Sequence, residues 1–346
     1  MTSRHDPENM FDSIWDFPEN LDEALRLSET IQLMHNYEHI NSIIIAGMGG
    51  SAIGGDVISV LGKDHLKIPF TVCRGYSLPN WVNKNTLVIC SSYSGNTEET
   101  LSVLDNAIEK NAMLCGITTG GEIAEKLKQL KKDMVLIPSG LQPRAALAFS
   151  FIPIAKLLEK AGLLNLKIDE WISVTISSLK SFRKIYSNES VENPVYLLAK
   201  KIHKKLPIIY SDNSTTGIAA LRLKGQICEN AKMLAYNNDL PELNHNEIVG
   251  WENNKDLLKE LFVIWLSDKN DNARVKYRQE ITQSILNNMG INQSTISVEG
   301  SSFQERFLLM IHYGDWLSYW CAILHGTNPS PVKKISRLKE ELSNRP

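Results

Sequence analysis

Five short apolar runs, at residues 42–46, 68–73, 86–91, 113–118 and 134–138, alternate with segments such as 98–110 and 121–131 whose apolar residues recur at helical spacing. Runs that are apolar almost throughout suit strands buried on both faces, and a sheet covered by helices on both faces is a parallel one. The alternation therefore commits the first half of the chain to an α/β fold. It also says where to look for a ligand, because open parallel sheets bind ligands beyond the carboxyl ends of their strands.

Two of those ends carry complementary chemistry. The run Ser42 to Ala46 leads into Gly47-Met-Gly-Gly-Ser-Ala-Ile-Gly-Gly55, and the run ending near Cys90 leads into Ser91-Ser-Tyr-Ser-Gly-Asn-Thr-Glu-Glu-Thr100. The first loop, with Gly49 and Gly50, lets an anion approach bare N–H groups at a helix start. The second offers the hydroxyls of Ser92, Ser94 and Thr97, again at the mouth of a helix. Together they describe a metal-free cup for a phosphate monoester. Plainer readings exist: a glycine-rich turn often does no more than turn, and Asn96 followed by Glu99 fits a helix capping box. Gly47, Gly49 and Ala52 also satisfy the dinucleotide pattern, but the next strand-like run ends in Arg74 where an acid should hold a ribose. Arg74 would suit a 2′-phosphate, yet the serine loop has no role in such a site and an evident one around a phosphate. Neither loop contains Gly-Lys-Ser or Gly-Lys-Thr, so a Walker-type grip on a nucleotide is not indicated.

Around this unit the spacing predicts helices over 9–40 and from about 147 to 164, and a Ser-rich helical bridge over 165–190. The pattern then restarts: a strand at 206–211, the small-residue loop Asn213-Ser-Thr-Thr-Gly217, a helix over 218–234, and strands at 260–266 and about 294–299. This predicts a duplicated α/β domain whose second phosphate loop has lost most of its glycines. The expected division is 1–164, a bridge over 165–190, and 191–346. A closing helix is predicted over about 330–342, with Pro331 in its first turn.

The 346 residues are 43% apolar and 22% charged, with a net charge of −2. Two globular domains fit that size, and the charge offers no basic footprint for nucleic acid. The five cysteines are scattered without a CxxC pair, which argues against structural zinc and disulfides. No apolar run reaches the ~20 residues of a membrane span, and the acidic N-terminus is unlike a signal peptide, so a soluble cytoplasmic protein is expected.

In the second half, Gln226-Ile-Cys-Glu-Asn-Ala-Lys232 and Asp239-Leu-Pro-Glu-Leu-Asn-His-Asn-Glu-Ile-Val-Gly-Trp251 are unusually polar for their setting. By themselves Glu229 reads as a solvated helix face and His245 as a satisfied loop histidine. Taken with Gly47 to Asp56, Ser92 to Thr100, Pro143-Arg-Ala-Ala and Pro331 to Lys339, however, the set resembles the bifunctional phosphoglucose/phosphomannose isomerase family, in order across nearly the whole chain. That resemblance implies two sugar-isomerase (SIS) domains, flavodoxin-like parallel sheets flanked by helices, in an enzyme needing neither metal nor cofactor. It implies that Ser51, Ser92, Ser94 and Thr97 hold the 6-phosphate, and that Glu229 moves a proton between C1 and C2. It implies that His245, supplied by the neighbouring subunit of a homodimer, opens the ring, and that Arg144 sits near the enediolate. A lysine of the closing helix, Lys333 or preferably Lys339, completes the set. A base reaching both carbons, a proton donor and a positive charge are what aldose–ketose isomerisation needs. The alternatives are a SIS-domain protein that binds phosphosugars without catalysis, which would need neither Glu229 nor His245, and an amino-sugar phosphate isomerase. A nicotinamide oxidoreductase stands further off.

Overall fold

The computed structural model describes residues 2–345. It divides into two compact units, one of residues 16–180 with 300–308, the other of residues up to 15, 181–299 and 309 onward. Each is built on its own parallel sheet.

In the first unit the strands are β1 (Ser42–Ala46), β2 (Phe70–Cys73), β3 (Thr86–Ser91), β4 (Met113–Thr118) and β5 (Asp133–Leu136), all parallel in the order β2-β1-β3-β4-β5. This is the doubly wound order with its switch point between β1 and β3. Those two strands are buried along their whole length, as their unbroken Ile, Leu and Val runs require. The helices Glu98–Glu109 and Gly121–Gln129 pack Val103, Leu104, Ile123 and Leu127 against Val88 and Leu114 of the sheet.

The second unit repeats the plan with β6 (Leu206–Asp212), β7 (Tyr236–Leu240), β8 (Leu261–Leu266) and β9 (Gln293–Ile296), parallel in the order β7-β6-β8-β9. That is the first order without its last strand, and the α/β fold class read from the sequence is the observed one. Tyr210, Val263 and Trp265 of the central strands meet Leu240, Leu243 and Leu286 in the core.

Several elements differ from expectation. Residues 9–40 form helices only over Met10–Trp15 and Phe17–Glu29. Beyond them Asp133 accepts the Met34 amide (2.8 Å) and the Tyr37 hydroxyl (2.6 Å) and pairs with His35 (3.1 Å), holding the segment in an irregular path. β7 was not expected, because its Tyr-Asn-Asn-Asp-Leu sequence lacks an apolar run; as an edge strand it needs none. The helices Ala273–Asn288 and Phe303–Leu324 were also not foreseen, the first mostly polar, the second buried along most of its length. The helix expected over 218–234 is an α-helix only over Gly217–Gln226.

Candidate active site

At the carboxyl end of β1 the helix Gly49–Leu61 begins at Gly49, with Gly50 and buried Ser51 in its first turn and no side chain capping its start. At the end of β3 the Ser92 and Thr97 hydroxyls lie 2.8 Å apart, the Gly95 amide donates to Ser92 Oγ (3.1 Å) and the Asn96 amide to Ser94 Oγ (3.2 Å). Thr97 occupies the N-cap of the Glu98–Glu109 helix without capping it through its side chain. Two helix starts, each lacking a side-chain cap, thus meet a cluster of hydroxyls, and N-terminal N–H groups and helix dipoles favour an anion there. The capping box expected from Asn96 and Glu99 is absent. Asn96 Oδ1 instead accepts the Glu122 amide (3.0 Å), serving the next helix.

The two loops are fastened to each other and to Arg144. The Tyr93 amide donates to Ser51 Oγ (3.2 Å), and Tyr93 Oη accepts the Leu141 amide (3.0 Å). Leu141 leads into the 3₁₀ turn Pro143–Ala145, which carries Arg144, only 4% exposed. The Pro143 carbonyl passes so close that a Cβ on Gly50 would lie 2.5 Å from it. Gly95, at φ +70°, likewise faces the Gly120 carbonyl, which a Cβ would meet at 1.8 Å. Glycine is required at both positions by contact alone. Gly49, Gly50, Ser51, Ser92, Ser94, Thr97 and Arg144 therefore belong to one interlocked cluster of loops. Arg74, weighed as a partner for a 2′-phosphate, is paired instead with Asp56 of the Gly49–Leu61 helix. Burial pushes the Asp56 carboxyl up and Arg74 pulls it back in part.

In the second unit Glu229 lies in a widened π-type turn, Ile227–Ala231, that follows the Gly217–Gln226 helix. Such turns leave carbonyls without their usual partners and recur at functional sites. Here Lys232, in the left-handed conformation, donates to the carbonyls of Glu229 (2.7 Å), Asn230 (3.3 Å) and Pro329 (2.8 Å). A buried ladder anchors the same turn to the long Phe303–Leu324 helix: Arg222 and Gln226 to Asp315, and Asn230 to Ser318 (2.9 Å). Glu229 lines a cavity of about 650 Å³ together with Thr327, Asn328, Lys333 and Lys334. Lys339 stands on the exposed part of the closing helix and is not among the residues lining that cavity. The closing helix runs over Lys333–Ser343, so Pro331 precedes it rather than opening it.

His245 ends the 3₁₀ turn Glu242–His245 and is exposed, and it too is absent from the cavity lining. Its loop is held from behind, where Glu247 accepts from Tyr210 and from Asn238 (2.5 Å). The sequence reading missed the structural parts of Tyr93 and Lys232. Both sit inside the quoted motifs, so the signal was present, but only the structure shows their partners.

Among the described residues, no group of three or more His, Cys, Asp or Glu side chains is arranged to hold a metal, and no helix is long and apolar enough to cross a membrane.

Residues 191–342 match the family model described as the bacterial phospho-glucose isomerase C-terminal SIS domain. The chain is 43% identical to the bifunctional phosphoglucose/phosphomannose isomerase of Caldicellulosiruptor bescii, over 96% of this chain and 99% of that one. It is 38% identical to the protein of the same name from Aquifex aeolicus, over 87% and 90%. Its fold is similar to the C-terminal domain of glucosamine-fructose-6-phosphate aminotransferase from Francisella tularensis, with a TM-score of 0.71 at 16% identity over 93% and 98% of the chains. With two parallel sheets, a glycine-and-hydroxyl cup on one and the Glu-Asn-Ala-Lys turn beside the other, the chain belongs to the bifunctional phosphoglucose/phosphomannose isomerase family.

Proposed function

We propose that this protein interconverts glucose 6-phosphate and mannose 6-phosphate with fructose 6-phosphate through a cis-enediol, without metal or cofactor. The observation that carries the reading is the cup: hydroxyls and glycine amides at two adjoining helix starts, which match a phosphate dianion and nothing apolar. Ser51, Ser92, Ser94 and Thr97 hold the 6-phosphate, with the Gly49 and Gly50 backbone beside it. His245 protonates the ring oxygen as the ring opens. Glu229 then takes the proton from C2 and returns it to C1, while Arg144 stabilises the charge that develops on the enediolate oxygens. For the lysine of the closing segment, the cavity favours Lys333, with Lys334 next to it, over Lys339.

The enediol is planar at C2, so the glucose and mannose configurations converge on one intermediate, and a single site serves both substrates. Along the sequence the domains are 1–164 and 191–346, bridged by 165–190, although residues up to 15 and 181–190 pack with the second sheet's unit and 165–180 and 300–308 with the first's. The working unit is a homodimer in the cytoplasm, in which the exposed His245 completes the partner's site; an exposed histidine on an anchored loop suits that role. A non-catalytic phosphosugar binder would have no use for Glu229 in a cavity shared with Lys232, Lys333 and Lys334. A coupled assay with each aldose phosphate in the presence of EDTA tests the reading. Both should yield fructose 6-phosphate at undiminished rate; loss of activity with EDTA and recovery with Zn²⁺ would refute it.

A further inference from the structure

Tyr93 holds an unusual number of connections for a residue flanked by two substrate-binding serines. Its amide donates to Ser51 Oγ (3.2 Å) in the glycine loop. Its carbonyl accepts both the amide (3.1 Å) and the hydroxyl (2.7 Å) of Thr119, beyond β4. Its phenol oxygen accepts the Leu141 amide (3.0 Å), three residues before Arg144. Between Leu141 and Arg144 the chain has little freedom, because the Ala145 amide donates back to the Gln142 carbonyl (2.8 Å) and the Pro143 carbonyl abuts Gly50. The residue before Leu141 is Gly140, at φ +106°, which gives the segment no rigidity of its own. Half-burial pushes the Tyr93 phenol up and the Leu141 amide draws it down, as expected of an oxygen used as an acceptor.

We propose that Tyr93 is a positioning residue that ties the seat of Arg144 to the phosphate cup, so that a phosphosugar gripped by the cup finds the guanidinium already at the depth of its reacting carbons. This rests on the role given to Arg144 above. The backbone connections of Tyr93 survive any substitution that keeps the loop; only the phenol oxygen reaches Leu141. Removing that oxygen leaves the hydroxyls of Ser92, Ser94 and Thr97 in place and loosens the 140–144 segment. Misplacement of a catalytic group by about 1 Å is enough to cost up to about 10² in rate, so a partial loosening costs about tenfold.

A double-mutant cycle tests this. Tyr93→Phe should lower kcat about tenfold with KM within about twofold and the thermal midpoint little changed, because the charge is displaced while the phosphate grip remains. In an Arg144→Ala background, itself impaired in kcat, the same substitution should have almost no further effect, since the group it positions is gone. An equal loss in both backgrounds, a loss confined to KM, or no loss at all would overturn the proposal. Should Tyr93→Phe fail to fold, Leu141→Pro removes the donor at the other end of the bond and enters the same cycle with the same criteria. Failure of the underlying reading is separately visible: Arg144→Ala alone would then retain wild-type kcat.

Discussion

The two sheets share a strand order and end in opposite chemistry. Beyond β1 and β3 stand glycines and hydroxyls whose oxygens bond chiefly to amides and to one another. At the carboxyl ends of β6 and β7 stand Asp212 and Asp239, with Asp268 and Asp271 beyond β8, and the end of β6 and the small-residue loop after it turn their groups toward them. Ser211 donates to Asp239, Thr215 to Asp271, and the Ser214 amide to Asp212. Burial pushes the carboxyls of Asp239 and Asp271 up, further raised by the neighbouring charge of Asp212 and only partly offset by their hydrogen bonds. Helix starts without side-chain caps favour an anion at the first end, whereas the carboxylates of the second would repel one. The second unit repeats the strand order of the first with an acidic end in place of the cup, and it carries the turn bearing Glu229.

If the units divide binding from chemistry in this way, the largest effect belongs to the second. Glu229→Gln keeps the shape of the side chain and loses the base, so kcat should fall by about 10² or more with KM nearly unchanged. Steady-state kinetics that retained over a tenth of wild-type kcat would break the division. Mixed with inactive His245→Ala and allowed to exchange subunits, the Glu229→Gln protein should recover about a quarter of wild-type activity, as random pairing in a two-fold dimer requires. No recovery would place both residues in one protomer's site.

A smaller effect sharpens the other side of the comparison. Ser94→Ala and Thr97→Val each remove a hydrogen bond to a charged group, about 1.5–3 kcal/mol, and should raise KM for the phosphosugar at least about tenfold. Ser214→Ala, in the corresponding loop of the second unit, should leave KM within about twofold. Equal effects at both loops would mean that the acidic end also binds substrate.

The smallest effect is on stability, with opposite signs in the two units. Burial alone would raise the Asp133 carboxyl, but the bonds from Tyr37, the Met34 amide and His35 outweigh it and hold it low. Its ionised form therefore favours the folded state, a contribution present above the ordinary carboxylate value and lost as pH falls below it, through the lowered value of the folded state. Asp133→Asn should lower the thermal midpoint at pH 7 by about 2–4 °C, the deficit closing below about pH 4. The Asp239 carboxyl is held high, so keeping it ionised opposes folding above its folded pKa. Asp239→Asn should raise the midpoint at pH 7, and the gain should fade on acidification. Melting curves of the same sign for both variants would contradict this account of the two ends.

Much of this was legible in the sequence where the chemistry is local. β1, β3 and β4 were found at their observed bounds because strands buried on both faces must be apolar throughout. The cup was visible because its glycines and hydroxyls are consecutive. What depends on distant partners was not visible. The segment after Glu29 has helical spacing but is captured by Asp133, about a hundred residues away in the chain. The turn at Glu229 is tied by Lys232 to the Pro329 carbonyl, 97 residues away in the chain. That Lys333 and not Lys339 lines the Glu229 cavity follows from where the closing helix begins, at Lys333 rather than around Pro331, and no spacing rule gave that start.

The most direct test of the central claim, that the first sheet's carboxyl end is the phosphate site, is amide hydrogen exchange with and without saturating fructose 6-phosphate. The account predicts slowed exchange at residues 49–52 and 92–99, the amides of the two helix starts, and no change at 213–217. Slowing at 213–217 with none at 49–52 and 92–99 would contradict it.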